Sequence, residues 1–375
     1  MSKKAVLIGA GSIGRGFIGQ VLSDSGYNIV FVDVSQKLVN TINEFGKYKV
    51  IVLGAEEHEH IIDNIKAYSP QDPKAVDEIL QAEIITTAVG PSVLNNTANY
   101  ISEGIKARFK NGIEGSLTVI ACENMEYSSS KLNEYVKPFL NAEELEYCRE
   151  YVCFPDSIVS RMIMPIENAD PLTVKVEQYV EWIVDSKPLK SDLTGIIGMQ
   201  LANNPAAYIA RKIFTLTGHA MLGYMGYQKG YRFIYEAAYD DGIFGIVFKA
   251  LAECGKAWSS EYRINEQEFY EYITLMLRRF SDIRLKDPIV RVCREPLRKL
   301  SIDERFIAPA LTALKYSVVP YGIAEGIKAA LKYDYRNDEQ AVMLQQMLKS
   351  KGRGSLIKEV CGVNESNDLY KMLLN

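Results

Sequence analysis

Three groups of residues have the types and spacing for chemistry. The first is Gly9-Ala10-Gly11-Ser12-Ile13-Gly14, which follows an apolar run and opens a helix-like stretch. Gly9 permits a tight turn, Gly11 lets the backbone approach a pyrophosphate, and Gly14 allows close helix–strand packing. The N-terminus of the helix that follows offers unpaired N–H groups and a positive dipole end to an anion. Asp33 lies 19 residues past Gly14, at the end of the next β-like run. Its carboxylate can accept hydrogen bonds from an adenosine ribose and would repel a 2′-phosphate, which favours NAD(H) over NADP(H). The competing readings are a glycine-rich packing turn and an FAD site, and no second flavin-like motif is evident. Two further loops, Thr87-Ala88-Val89-Gly90-Pro91 and Cys122-Glu123-Asn124-Met125, each end a β-like run. By position both should face the nicotinamide half of such a cofactor. The Asn124 amide could polarise a carbonyl oxygen there, or serve only as a satisfied turn residue.

The second group is Lys212 and His219, within RKIFTLTGHA. On a continuous helix seven residues fall about 20° short of two turns, so both side chains share one face about 10 Å apart. A lysine in a partly buried cleft can have its pKa lowered toward the range useful for acid–base work. Spacing alone also suits a snorkelling surface lysine and a core histidine. The third group is Arg291, Arg294, Arg298 and Lys299 in RVCREPLRKL, where Pro296 should interrupt the helix. Such a cluster can grip a phosphate, or pair with Glu295, Asp303 and Glu304 nearby. His58 and His60, in EEHEH, read as a solvated hairpin turn; with no distant Cys or His to complete a site, no metal is expected.

The elements that must position these groups follow from periodicity. Lys4–Ile8, Asn28–Val34, Glu83–Val89 and Ser116–Cys122 read as buried strands, with a helix over Gly16–Ser25. Lys47–Leu53 and His60–Tyr68 read as a hairpin around Ala55–Glu59, and Thr173–Trp182 as one or two strands. Strand–turn–helix–strand succession is the seed of a parallel sheet. Past about residue 190 helical patterns dominate, among them Pro205–Leu216, Gly242–Ala257 and Glu266–Arg279.

Composition agrees with a two-domain globular protein. The chain has 375 residues, 47% hydrophobic and 24% charged, with a formal charge of −4. These values exclude disordered, collagen-like and disulfide-scaffold classes. Without a basic domain, nucleic-acid binding is not expected. The longest weakly charged stretch, around Phe306–Ile327, is broken by Pro309, Lys315 and Pro320, so no membrane span is expected. Six scattered cysteines without a CxxC fit a reduced, cytoplasmic protein.

GAGSIGRGFIG, TAVGP, ACENM, VEQYVEWIVD, RKIFTLTGHA and REPLRKLS follow one another along the chain. Together they resemble the polyol-specific long-chain dehydrogenase/reductase family, and the likeness runs through nearly the whole chain. The resemblance implies an α/β fold: an N-terminal Rossmann-type doubly wound sheet over 1–190, then a mostly α-helical substrate domain over 191–375. It implies metal-independent hydride exchange between NAD(H) and a sugar or sugar phosphate, here fructose 6-phosphate and mannitol 1-phosphate. Lys212 resembles the catalytic lysine, Asn124 the asparagine that steadies the alkoxide, and His219 the histidine that holds substrate hydroxyls. Gly9, Gly11, Ser12, Ile13, Gly14, Asp33, Thr87, Ala88 and Val89 would line the cofactor, and Arg294, Arg298 and Lys299 the phosphate. The expected partner is therefore a small sugar phosphate, with the protein a monomer or a dimer.

Two departures stand out. The family run resembles KLFTLNTGH, whereas KIFTLTGH is one residue shorter and lacks the asparagine, a second oxyanion donor. Losing such a donor costs about a hundredfold or more in other enzymes, unless Thr215 or Thr217 substitutes. Ser160 stands where the family carries an aspartate. Related polyols, a hexuronate such as fructuronate or tagaturonate, or a catalytically impaired NAD-binding paralogue are the alternatives.

Overall fold

Short apolar runs that end in glycine or a polar turn fold here as adjacent parallel strands. The computed structural model describes residues 3–54, 56–164, 166 and 170–374. It divides into two compact units, Met1–Pro205 and Ala206–Asn375.

The strands of the first unit are β1 (Lys4–Ile8), β2 (Asn28–Val32), β3 (Lys47–Leu53), β4 (Glu57–Asp63), β5 (Lys66–Tyr68), β6 (Ile84–Thr87) and β7 (Leu117–Ala121). They continue with β8 (Val152–Cys153), β9 (Ser157–Ser160), β10 (Ile163–Met164), β11 (Val174–Glu177), β12 (Glu181–Asp185) and β13 (Met199–Ala202). The main sheet runs β5-β2-β1-β6-β7-β8, and its paired strands are all parallel. This is the doubly wound order, and its direction reverses between β1 and β6. A crevice opens at the carboxyl ends of those two strands, where such sheets take their ligands. Helices α1 (Gln20–Asp24), α2 (Gln36–Phe45), α3 (Pro73–Leu80), α4 (Ala98–Lys110), α5 (Ser128–Val136) and α6 (Ala142–Tyr151) belong to the same unit. A wide, π-type stretch over Gly14–Gly19 precedes α1, so the expected helix starts earlier and changes pitch. Gly16 lies against β11, where an added Cβ would come within 2.7 Å of Val174.

Two expectations change. His58 and His60 lie inside β4, not in a turn, because β3 and β4 stay in register from Lys47↔Asp63 to Leu53↔Glu57. Alternation then places both histidines on one strand face, opposite Val52 and Val50. Among the described residues no group of three His, Cys, Asp or Glu could hold a metal ion. The run His60–Tyr68 is also not one strand. Asn64 takes a left-handed φ of 53°, which ends β4 and lets β5 join the main sheet instead.

The second unit is helical. Its elements are α7 (Pro205–Gln228), α8 (Ile234–Ala238), α9 (Asp241–Tyr262), α10 (Glu266–Phe280), α11 (Ile289–Cys293), α12 (Pro296–Lys299), α13 (Ile307–Lys315), α14 (Tyr321–Leu331), α15 (Glu339–Cys361) and α16 (Asp368–Leu374). The expected break between α11 and α12 occurs at Glu295, whose φ is 59°, just before Pro296. The helix α7 runs twelve residues beyond the expected Leu216. Gly218 permits this, since a Cβ there would meet Leu251 of α9 at 2.8 Å. One apolar core fills this unit, from Ala207 to Leu373. Two others flank the main sheet of the first.

Candidate active site

In the first unit the glycine turn is shaped by what a side chain would strike. Gly9 has φ 101°, and a Cβ there would come within 2.5 Å of the Ala88 carbonyl oxygen. At Gly14 a Cβ would collide with the Gly9 carbonyl oxygen. Gly11 has nothing within 4 Å, so its backbone is open to an approaching anion. Ser12 is exposed and Ile13 half-buried beside it. Asp33 accepts the Ala10 N–H on Oδ2 and the Ser35 N–H on Oδ1, each at 2.8 Å. Those bonds fix the carboxylate at the end of β2 and leave further lone pairs for ribose hydroxyls. A dinucleotide fits this cradle.

Arg15, which the sequence did not single out, is buried behind the turn. It donates from Nη1 to the Ala10 carbonyl and from Nε to Leu172 O at 3.2 Å. Burial lowers its pKa, while Tyr48, Asp33 and Asp170 act to raise it. Across the crevice, Thr87 is buried and Ala88 and Val89 are half-buried. A second overlooked residue, Glu123, is 5% exposed and accepts from Thr87 Oγ1 (2.7 Å), Val89 N (3.0 Å) and Gly90 N (2.8 Å). Asn124 follows directly and is exposed. Ser160 ends β9, half-buried.

In the second unit Lys212 and His219 lie on the unbroken α7, both half-buried. His219 Nε2 meets Asp287 Oδ2 at 3.2 Å, and its ring stacks on Phe280 with centroids 4.5 Å apart. Asp287 Oδ1 takes a 2.6 Å bond from Arg291 Nε. With Asp287 as acceptor, Nε2 carries the proton of the neutral ring and Nδ1 is left as an acceptor. Burial pushes the His219 pKa down, against the pull of Asp287, and Arg291 and Arg305 push the same way as burial. Burial raises the Asp287 carboxyl, but His219 and Arg291 more than offset this and hold it low.

The threonines offered as substitutes for the missing asparagine are committed elsewhere. Thr215 Oγ1 donates to Arg211 O at 2.9 Å, and Thr217 Oγ1 donates to the Arg305 carbonyl.

The basic cluster does not act as one face. Arg291 is held by Asp287, while Arg298 pairs with Glu295 at 2.7 Å and with Glu304 at 2.5 Å. Arg294 is exposed on a cavity of about 580 Å³ that Arg291, Glu295, Tyr335 and Asn337 also line. Lys299 is different, being only 4% exposed. Burial pushes its amine down to about 8, and the charges of Arg305 and Arg298 push the same way. From an ordinary 10.5, that shift is a penalty on the cation of roughly 3 kcal/mol, which an anion in contact would offset. Arg305, half-buried and bonded to Glu304 Oε2 at 3.2 Å, lies outside the basic run and was not foreseen.

Residues 3–197 match the mannitol dehydrogenase Rossmann domain, and residues 204–366 match the mannitol dehydrogenase C-terminal domain. The chain belongs to the mannitol dehydrogenase family. It is 39% identical over 374 residues to a mannitol-1-phosphate 5-dehydrogenase of Bacillus pumilus, covering 99% of this chain and 98% of that one. A mannitol-1-phosphate 5-dehydrogenase of Anoxybacillus flavithermus is also 39% identical, over 94% of each chain. The fold resembles D-sorbitol dehydrogenase at a TM-score of 0.82 and 15% identity, covering 100% of this chain and 92% of that one. It also resembles Pseudomonas fluorescens mannitol 2-dehydrogenase, solved with NAD and D-mannitol, at 0.69 and 16%, over 100% and 90%. This member of the mannitol dehydrogenase family is thus a polyol dehydrogenase by descent. No helix among its described residues is long and apolar enough to cross a membrane.

Proposed function

We propose that the protein interconverts fructose 6-phosphate plus NADH with mannitol 1-phosphate plus NAD⁺, with Lys212 as general acid–base. The observation that carries the phosphate is Lys299, a buried cation whose amine is pushed down to about 8 beside Arg305. A phosphate dianion is the natural counter-charge for such a group. The names of the relatives at 39% identity support the same substrate.

Gly9 to Gly14 would hold the pyrophosphate and Asp33 the adenosine ribose of NAD. Thr87, Ala88 and Val89 would border the nicotinamide. When bound, the nicotinamide accepts or supplies the hydride. Lys212 Nζ takes the hydroxyl proton during oxidation and returns one to the ketone oxygen during reduction. His219, oriented by Asp287, accepts a hydrogen bond from a neighbouring hydroxyl. Asn124 donates its amide N–H to the oxygen that gains charge. None of these roles calls for a metal.

NADH loss at 340 nm across fructose 6-phosphate, fructose, fructuronate and tagaturonate tests the reading. Turnover should be confined to fructose 6-phosphate, and Lys212→Ala should abolish it while NADH fluorescence still reports binding. Equal rates on free fructose would remove the phosphate from the proposal. One observation favours an impaired dehydrogenase instead: Thr215 and Thr217 both donate to backbone carbonyls, so neither hydroxyl hydrogen is left to replace the missing asparagine. Silence across the panel, with NADH bound, would select that reading.

A further inference from the structure

We propose that Glu123 is a positioning residue that locks the loops after β6 and β7 into one geometry at the mouth of the crevice. Its catalytic consequence rests on the activity proposed above; the latch itself rests on geometry alone. The last ladder bond between the two strands runs from Cys122 N to Thr87 O at 2.9 Å. Beyond it the Glu123 carboxylate ties the two loops together, with Oε1 accepting from the Thr87 hydroxyl and Val89 N and Oε2 accepting from Gly90 N.

Three donors on one buried carboxylate make charge-assisted hydrogen bonds that occupy both its oxygens. Gly90 sits at φ 96°, a left-handed conformation that its bond to Glu123 holds in place. The same residue fixes where the backbone delivers Asn124, the next in the chain. One side chain therefore sets both Val89, placed against the cofactor, and Asn124, placed against the reacting oxygen.

Glu123→Gln tests the latch, because its amide keeps one acceptor but turns an N–H toward the Gly90 N–H. Expected is a fall in kcat of about tenfold or more, as misplacement near a reacting centre produces. The NADH Kd and the KM for fructose 6-phosphate should stay within about threefold, since the glycine turn and Asp33 would make most of the cofactor contacts and the second unit most of the substrate contacts. Thr87→Val, which removes one of the three donors, should give a smaller fall in the same sense. An unchanged kcat overturns the proposal, as does a joint decline of kcat, NADH affinity and melting temperature, which would mark a general structural role. Should the wild type turn over no ketose, the proposed activity fails. The latch is then read from hydrogen exchange at the Val89 and Gly90 amides. Faster exchange in Glu123→Gln supports it, and equal exchange overturns it.

Discussion

Lys299 and His219 are both titratable, partly or wholly buried, and tuned in the same direction by burial. The consequences differ with the partner each has. His219 has Asp287 at 3.2 Å and stays neutral near pH 7, so it acts as a hydrogen-bonding group. Lys299 holds a charge that burial penalises, and a bound phosphate would relieve the penalty. The sign of the pH dependence follows. The amine is protonated below its value of about 8, so phosphate affinity is present there and declines as pH rises through and above it. kcat/KM for fructose 6-phosphate should therefore drop on the alkaline side. Lys299→Met should remove that limb and lower kcat/KM about ten- to a hundredfold, the worth of one charge-assisted hydrogen bond. A pH–rate profile of the two proteins decides it: an alkaline limb that persists in Lys299→Met would assign the titration to another group.

Helix contacts set tolerance at the scale of elements. Gly322 of α14 faces α9 so closely that an added Cβ would come within 2.6 Å of the Ala250 backbone nitrogen. Backbone cannot move aside as a side-chain end can, so the gain in helix propensity from alanine is outweighed. Gly322→Ala should destabilise by about 1–3 kcal/mol. Gly245 of α9 is the opposite case, exposed and with nothing within 4 Å of the new Cβ. Gly245→Ala should stabilise by about 0.5–1 kcal/mol. Urea titrations of both variants measure the pair, and a shift of the same sign in each would contradict the packing argument. Glu253 adds to the same contact by accepting from the Gly322 and Ile323 amides at 2.9 and 3.1 Å, which satisfies two donors at the start of α14.

The whole molecule carries separate cores, one within Ala206–Asn375 and two within Met1–Pro205. Separate cores predict separate unfolding transitions. The cradle for the adenosine end of a dinucleotide, from Gly9 to Asp33, lies wholly in the first unit. ADP-ribose at a hundred times its Kd should raise the stability of that unit by about 2.7 kcal/mol. Calorimetry with and without the ligand should show one transition move much more than the other. A single peak that shifts as a whole would mean the cores unfold together.

How much of this was legible depends on how far apart the participating residues lie. The glycine turn and Asp33 could be read directly, because a strand, a turn, a helix and the next strand are local and their spacing is the signal. The parallel character of the sheet followed from the same alternation, though its edge strands β5 and β8 did not, and the Lys212–His219 face followed from helix geometry once α7 proved continuous. Glu123 had a faint signal, its place beside Asn124, but its three donors lie more than thirty residues upstream. Asp287 reaches His219 across 68 positions and Arg15 reaches Leu172 across 157. Arg298 and Lys299 are adjacent in the sequence, yet one is exposed and paired while the other is buried and pushed toward neutrality. Local periodicity thus specified most of the elements and the glycine turn. Tertiary packing decided which charges are neutralised, because desolvation and pairing depend on neighbours that the chain brings together only when folded.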